Sequence, residues 1–279
     1  MRTRFAPSPT GPLHLGHAYS AILAYDLAQA AGGEFVLRIE DTDLARCRPE
    51  WEALIYEDLN WLGLTWGAPV WRQSDNLARY DAALDQLAGA GLIYPCKCTR
   101  ADIRAALAAP QEGVESGEGV YPGLCRHRNM DDRQTGDALR LDMAKALASL
   151  SGLGGFTELG SKKFGTYALD SALLLKGHGD AVLGRKAQGY ISYVLASVID
   201  DAAQGISHVI RGDDLFEITF LQVLLQNLLG LPTPAYHHHR LIRDDAGKRL
   251  AKRDDARAIR LFRDEGASPA DIRRMVGLL

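Results

Sequence analysis

A strand, a proline- and glycine-rich loop, a helix and a second strand fill the first forty residues, and no other stretch limits the fold as much. Residues 2–6 read as a short strand and 7–15 as the loop. Residues 16–31 read as a helix: Ala18, Ile22, Tyr25, Leu27 and Ala28 give it an apolar face, and Gly32-Gly33 ends it. Residues 34–40 form the second strand, with Asp41, Thr42 and Asp43 just past its end. Strand, helix and strand at this spacing make a βαβ unit, so the fold class is α/β. Two more helices are predicted at 49–62 and 76–90, broken by Gly63 and Pro69. The pattern then changes from Tyr94 to about Gly189: cysteines, a Gly/Glu-rich loop at 111–119, and short mixed segments around 138–143 and 164–175. After it the βα pattern resumes, with a helix at 191–201, a strand at 208–211 running into Gly212-Asp213-Asp214, a helix at 215–229 and an extended stretch at 235–242. The expectation is a Rossmann-type α/β domain in two halves, 1–94 and 190–243, split by an inserted cysteine-bearing segment at 95–189 and followed at 244–279 by a basic loop and short helices.

Composition excludes several classes. With 279 residues there is room for a real core, and the net charge of −3 gives no overall attraction to nucleic acid, so any RNA contact needs a local basic patch. Four cysteines are too few for a disulfide scaffold. The first residues carry no apolar stretch of a secretory signal, and no apolar run approaches the ~18 residues of a membrane span. A cytoplasmic, monomeric protein with reduced thiols and no membrane contact is expected.

Two stretches read as one anion site. Near the start runs Arg4-Phe5-Ala6-Pro7-Ser8-Pro9-Thr10-Gly11-Pro12-Leu13-His14-Leu15-Gly16-His17, and about 230 residues later Gly247-Lys248-Arg249-Leu250-Ala251-Lys252-Arg253. A helix beginning near Gly16 presents backbone N–H groups and a partial positive charge to an anion. His14 and His17 sit three apart on one side of that helix start, and both can donate to phosphate oxygens. Gly247 permits a tight turn, and Lys248 and Lys252 beyond it can approach one polyphosphate. Most of the arginines around them, from Arg240 to Arg263, read as a solvated basic face. The usual Gly-rich phosphate loop ending in Gly-Lys-Ser/Thr is absent.

These stretches, with Arg38-Ile39-Glu40-Asp41-Thr42-Asp43 and Val209-Ile210-Arg211-Gly212-Asp213-Asp214-Leu215, resemble the catalytic core of the class I glutamyl-tRNA synthetases, in order and spacing and over essentially the whole chain. The resemblance implies that ATP is bound by the family's His-Ile-Gly-His motif, here His14, Gly16 and His17, and by its Lys-Met-Ser-Lys-Ser motif, here Arg249 to Arg253. Arg249 replaces the first lysine and Ala251 the first serine, while Lys252 keeps the second lysine; His14, His17 and Lys252 are thereby the expected catalytic residues. Only 26 residues follow Arg253, where the full synthetases carry a helical anticodon-reading region. The chain therefore looks like a member of the truncated paralogue family, the glutamyl-queuosine tRNA(Asp) synthetases. That likeness implies ATP-dependent activation of L-glutamate without tRNA, then transfer to queuosine in the anticodon of tRNA(Asp). The alternatives are a truncated enzyme charging tRNA(Glu) and a nonenzymatic RNA-binding adaptor of the same fold.

Glutamate needs a cation for its side-chain carboxylate and an anion for its ammonium. Arg4 and Arg211 suit the first, since a guanidinium can bind a carboxylate through two N–H groups; Glu40 suits the second, and Tyr193 can donate a hydrogen bond. Glu40 and Arg211 stand at strand C-terminal ends, where open α/β sheets bind ligands. The resemblance assigns glutamate contacts to Arg4, Phe5, Ala6, Pro7, Ser8, Glu40, Tyr193 and Arg211. Cys96, Cys98 and Cys125 suggest a zinc site for which ordinary zinc chemistry would choose His127 as fourth ligand. The resemblance points instead to Tyr121, because Cys-x-Cys followed by Tyr-x3-Cys recurs in that family. One structural Zn²⁺ per chain, and Mg²⁺ with the ATP, are the expected cofactors. His237, His238 and His239 alternate faces if extended, so they are not expected to chelate together; they are read as strand and ATP-site lining.

Overall fold

A computed structural model of the chain describes residues 1–67, 69–108, 120–185, 190–242 and 257–279. β1 (Arg2–Phe5) and β2 (Glu34–Ile39) run parallel with Thr3 opposite Phe35, and α1 (Leu15–Ala30) is their crossover. After α2 (Pro49–Trp61), β3 (Trp71–Arg72) extends the sheet on the far side of β2, and α3 (Leu77–Gly89) follows. β4 (Ile93–Cys96), α4 (Arg100–Ala108), β5 (Ala138–Leu141), α5 (Met143–Ala148), β6 (Gly155–Glu158), β7 (Gly165–Ala168), the single turn α6 (Ser171–Leu173), β8 (Val182–Arg185) and β9 (Tyr190–Ile191) form the middle of the chain. The remainder is α7 (Tyr193–Ala203), β10 (His208–Gly212), α8 (Phe216–Leu229), β11 (Ala235–His239), α9 (Ile259–Asp264) and α10 (Pro269–Val276).

β10 and β11 pair in parallel, and the order continues through β6 to β7. β10 lies beside β1: the Ser207 N–H reaches the Arg2 carbonyl at 3.0 Å. Helices cover both faces, as parallel strands require. Alternation along the strands shows it. Phe35, Leu37 and Ile210 join Ile22, Leu59, Ile259 and Ile272 in one core, on the side of α1, α2, α9 and α10. Val36 and Val209 face the other core, with Leu84, Leu195, Val198 and Leu224 from α3, α7 and α8.

A buried ionic lock ties the halves together. Arg38 of β2 is fully buried and donates to Asp201 of α7 at 2.6 Å, and Arg4 of β1 reaches the same oxygen at 3.1 Å. Its neighbour Asp200 accepts from Gln73, Tyr80 and Trp71. Burial raises the Asp200 pKa, whereas Arg4 and Arg38 overcome burial and lower that of Asp201. At the end of the chain, Arg273 of α10 grips Asp26 of α1 through two bonds of 2.6 and 3.0 Å.

The 95–189 stretch serves two sheets. β4, β5, β8 and β9 make an antiparallel sheet of their own. β6 and β7 form a hairpin that joins the parallel sheet, with Glu158 opposite Tyr236 of β11. α7 starts at Tyr193, two residues later than its apolar pattern predicts. Ile191 pairs with Gly184 in the antiparallel sheet, and the Ser192 side chain caps the helix by accepting the Leu195 N–H.

Candidate active site

His14 is the N-cap of α1. Its Nδ1 accepts the Gly16 N–H at 3.1 Å, so that N–H is taken by the protein and does not point at a ligand. His17 closes the box: its Nδ1 accepts the His14 N–H at 3.2 Å. A backbone N–H only donates, so both Nδ1 atoms are acceptors and each neutral ring carries its proton on Nε2. The two rings lie with centroids 3.8 Å apart. A Cβ at Gly16 would sit 3.0 Å from the His14 ring, a tight contact that glycine avoids.

A cavity of about 510 Å³ opens at the C-terminal ends of β1, β2 and β10. It is lined by Arg4 through Ser8, His14, Gly16, His17, Glu40, Tyr193 and Arg211, which are all of the sequence-predicted ATP and glutamate residues that fall in the described chain. The lining also holds Ser20, Asp214, Leu241, Ile242 and His239. Ser20 and His239 are hydrogen-bonded at 2.6 Å.

The cavity charges are held in different ways. Arg4 gives its Nε–H to Asp201 and NH1 to the Ile210 carbonyl at 3.3 Å. Glu40 Oε1 accepts from Arg38 at 3.2 Å, and burial raises its pKa against the pull of Arg38 and Arg4. Arg211 donates through NH1 to the Tyr193 hydroxyl at 3.2 Å, through NH2 to Thr219 Oγ1 at 2.7 Å and to the Leu215 carbonyl at 3.2 Å, and through Nε to His238 at 3.0 Å. The two-pronged carboxylate grip expected of Arg211 is therefore closed on one side. Among the described residues, the Arg211 donor with no protein acceptor is the second N–H of NH1, beside the Tyr193 hydroxyl.

Lys252, Lys248 and the rest of the basic motif from Gly247 to Arg253 lie outside the described residues. One described flank of that stretch lines the cavity, and the other pairs with the segment that leads into α1. Leu241 and Ile242 line it on one side. On the other, Ala258 bridges to His14, and the Ile259 N–H donates to the Leu13 carbonyl at 2.8 Å. The described chain on the C-terminal side of that stretch is thus joined to the His14 segment by backbone pairing.

A second cluster stands at the end of β4. The Cys96, Cys98 and Cys125 sulfurs all lie within 4.8 Å of one another, and the Tyr121 hydroxyl sits 3.3 and 3.4 Å from the first two. Four donors at these separations suit a tetrahedral zinc with Zn–S bonds of about 2.3 Å. Burial would raise the Cys125 thiol, but bonds from the Tyr121 hydroxyl and the Lys97 N–H bring it down to about 7. His127 is exposed and outside this group. Among the described residues, His237, His238 and His239 form no metal cluster; His239 faces the cavity and His238 a buried carboxylate.

The reading of His237, His238 and His239 as ATP-site lining is corrected: of the three, His239 lines the cavity, while His238 holds Arg211 from behind. Sequence reasoning missed Thr219 and Asp201, which hold Arg211 and Arg4, and Glu158 behind His238. Only the alternation of β11, which sends His238 and His239 to opposite faces, hinted at separate roles.

Comparison with known proteins agrees with this geometry. The family model described as "tRNA synthetases class I (E and Q), catalytic domain" matches residues 1–139 and 174–279. A Rhodobacter capsulatus protein named glutamyl-Q tRNA(Asp) synthetase is 55% identical over the whole of both chains. A glutamate–tRNA ligase from Oleidesulfovibrio alaskensis is 40% identical over 96% of this chain, which spans 54% of that protein. Among solved structures, an Elizabethkingia meningosepticum glutamate tRNA ligase in complex with its amino acid superposes with a TM-score of 0.77 at 28% identity. This chain spans about 60% of its length. The chain belongs to the class I tRNA synthetases of the E and Q type and, within them, to the glutamyl-Q tRNA(Asp) synthetase family of ligases.

Proposed function

We propose that this ligase activates L-glutamate with ATP, without tRNA, and transfers it to queuosine in the anticodon of tRNA(Asp). The observation that supports the reading is one cavity lined by the stacked His14 and His17 rings together with Arg211, Tyr193 and Glu40. The name of the Rhodobacter relative supports the choice of acceptor.

In the first step a glutamate α-carboxylate oxygen bonds to the α-phosphorus of ATP, and pyrophosphate leaves. His14 and His17 donate to phosphate oxygens as charge builds on them, with Lys252 approaching from the basic loop. Mg²⁺ bound with ATP supplies further neutralisation of phosphate charge. Arg211 and Tyr193 take the substrate side-chain carboxylate, and Glu40 its ammonium; Arg4 through Ser8 form the wall beside them. In the second step a hydroxyl of the queuosine ring attacks the acyl carbon and AMP leaves. No covalent enzyme intermediate is involved. A structural zinc held by Cys96, Cys98, Cys125 and Tyr121 would fix the segment carrying the antiparallel sheet, which we assign to presenting the acceptor.

Labelled glutamate, offered with queuosine-containing tRNA(Asp), queuosine-free tRNA(Asp) and tRNA(Glu), tests the reading. Transfer to the first alone is expected. Charging of tRNA(Glu) would replace it with a tRNA(Glu) enzyme, and no adenylate formation would leave an RNA-binding adaptor.

A further inference from the structure

Behind Arg211 lies a chain of groups that the proposed chemistry does not use. Arg211 gives its Nε–H to His238 Nε2 at 3.0 Å, and His238 Nδ1 lies 2.5 Å from Glu158 Oε2. Arginine has only donors, so His238 Nε2 must accept; Nδ1 then carries the ring proton and gives it to Glu158. Glu158 Oε1 accepts two backbone N–H groups, from His238 at 2.8 Å and from Gly160 at 2.6 Å. Both side chains are fully buried. Three adjacent strands, β6, β11 and β10, contribute one member each. Gly160 is part of the device: a Cβ there would fall 2.4 Å from the His238 carbonyl oxygen and 2.6 Å from Glu158 Oε1.

Burial holds the His238 pKa down, and the bonds to Glu158 hold its pKa down in spite of burial. The chain is therefore carboxylate, neutral imidazole, guanidinium. Arg4 shows the contrasting arrangement, with Asp201 placed directly on its Nε–H. A carboxylate in direct contact orients an arginine but also neutralises it. An imidazole between them orients the arginine through a neutral acceptor and keeps the carboxylate one ring away. Arg211 thus keeps its positive charge for whatever enters the cavity. Neither His238 nor Glu158 lines that cavity.

We propose that Glu158 and His238 are positioning residues for Arg211: by fixing the tautomer that anchors the guanidinium, they set the affinity for a carboxylate-bearing substrate they do not touch. This rests on the reading of Arg211 as the anchor of the glutamate side-chain carboxylate.

The test is glutamate-dependent exchange of pyrophosphate into ATP, with KM measured for both substrates. Glu158→Gln keeps the shape but offers one carbonyl oxygen to three donors. Its amide N–H favours the other His238 tautomer, which sets a ring N–H against the Arg211 Nε–H. The glutamate KM should rise by about 10–100-fold, the effect of losing a hydrogen bond to a charged group, while the ATP KM holds. His238→Ala should act in the same direction, and His238→Gln should recover much of the loss, because its amide oxygen can accept from Arg211. That pair carries the test should Glu158→Gln fail to fold. A parallel rise in both KM values, an unchanged glutamate KM, or a His238→Gln protein no better than His238→Ala would overturn the proposal. Arg211→Lys separates the two layers. Where it raises the glutamate KM and the Glu158 and His238 variants do not, the relay alone is wrong; where it changes nothing, the anchor reading falls first.

Discussion

Replacing Asp58 by asparagine should stabilise the protein at neutral pH. Asp58 lies on α2 with its side chain fully buried, against Arg263 of α9. Their contact is long, 3.4 Å, and Arg263 is drawn at the same time to Glu57 at 2.9 Å. The second Asp58 oxygen, Oδ2, has no hydrogen-bond partner. Burial, only partly offset by Arg263, lifts the carboxyl from its ordinary 3.8 to about 6, a displacement that corresponds to about 3 kcal/mol. The folded protein therefore holds this proton more tightly than the unfolded chain. Below pH 3.8 both states are protonated and nothing is lost; stability falls as pH rises from 3.8 to about 6, and the full penalty stands above that. Asparagine keeps the shape and the acceptor for Arg263 without the charge. At pH 7.5 it should gain up to about 3 kcal/mol, or roughly 5–10 °C in Tm, and at pH 4.5 only about 1 kcal/mol. Urea unfolding at the two pH values measures the difference. A variant no more stable than the parent at pH 7.5, or one with the same gain at both pH values, would refute the reasoning.

Two further outcomes concern the chemistry. Lys252→Ala should slow glutamate-dependent pyrophosphate exchange by ~10²–10³-fold, the usual effect of losing one charge-stabilising donor; a near-normal rate would remove Lys252 from the mechanism. Purified protein should carry about one zinc per chain, by the geometry of its three thiols and one phenol. Cys98→Ser should lose most of it and should harm transfer to tRNA more than activation. Full zinc in a Tyr121→Phe protein, with loss in His127→Ala, would move the fourth ligand to the histidine.

The parallel core was legible because its causes are local. Period-two apolar residues around Phe35 and Val209, an apolar helix face in residues 16–31, and glycines at the element ends each act within a few residues. The location of the cavity came from topology, since β1, β2 and β10 must end on the same side. What sequence could not supply was the partner of each polar group. The separate histidines of His-x-Gly-His look like two phosphate ligands; the structure adds that each uses Nδ1 to cap the start of α1, which leaves Nε2 as the nitrogen that carries the ring proton. The hairpin β6–β7 lies inside a stretch read as an insertion, yet it joins β11. Nothing local marks it, because strand pairing over such a separation is decided by which edge is open.

The two arginines of the site differ for the same reason. From sequence, Arg4 and Arg211 are both cations suited to the side-chain carboxylate of glutamate. In the fold, Asp201 meets Arg4 directly and also binds Arg38, so the Arg4 charge is already balanced within the lock that joins the two halves of the sheet. Arg211 has no carboxylate on its guanidinium among the described residues; it is oriented by the neutral side chains of His238, Tyr193 and Thr219 and by a carbonyl. An incoming carboxylate gains most where the cation is held but not neutralised. On the reading proposed above Arg211 is that place; Arg4 also lines the cavity, and its bonds to Asp201 and the Ile210 carbonyl tie β1 to α7 and β10.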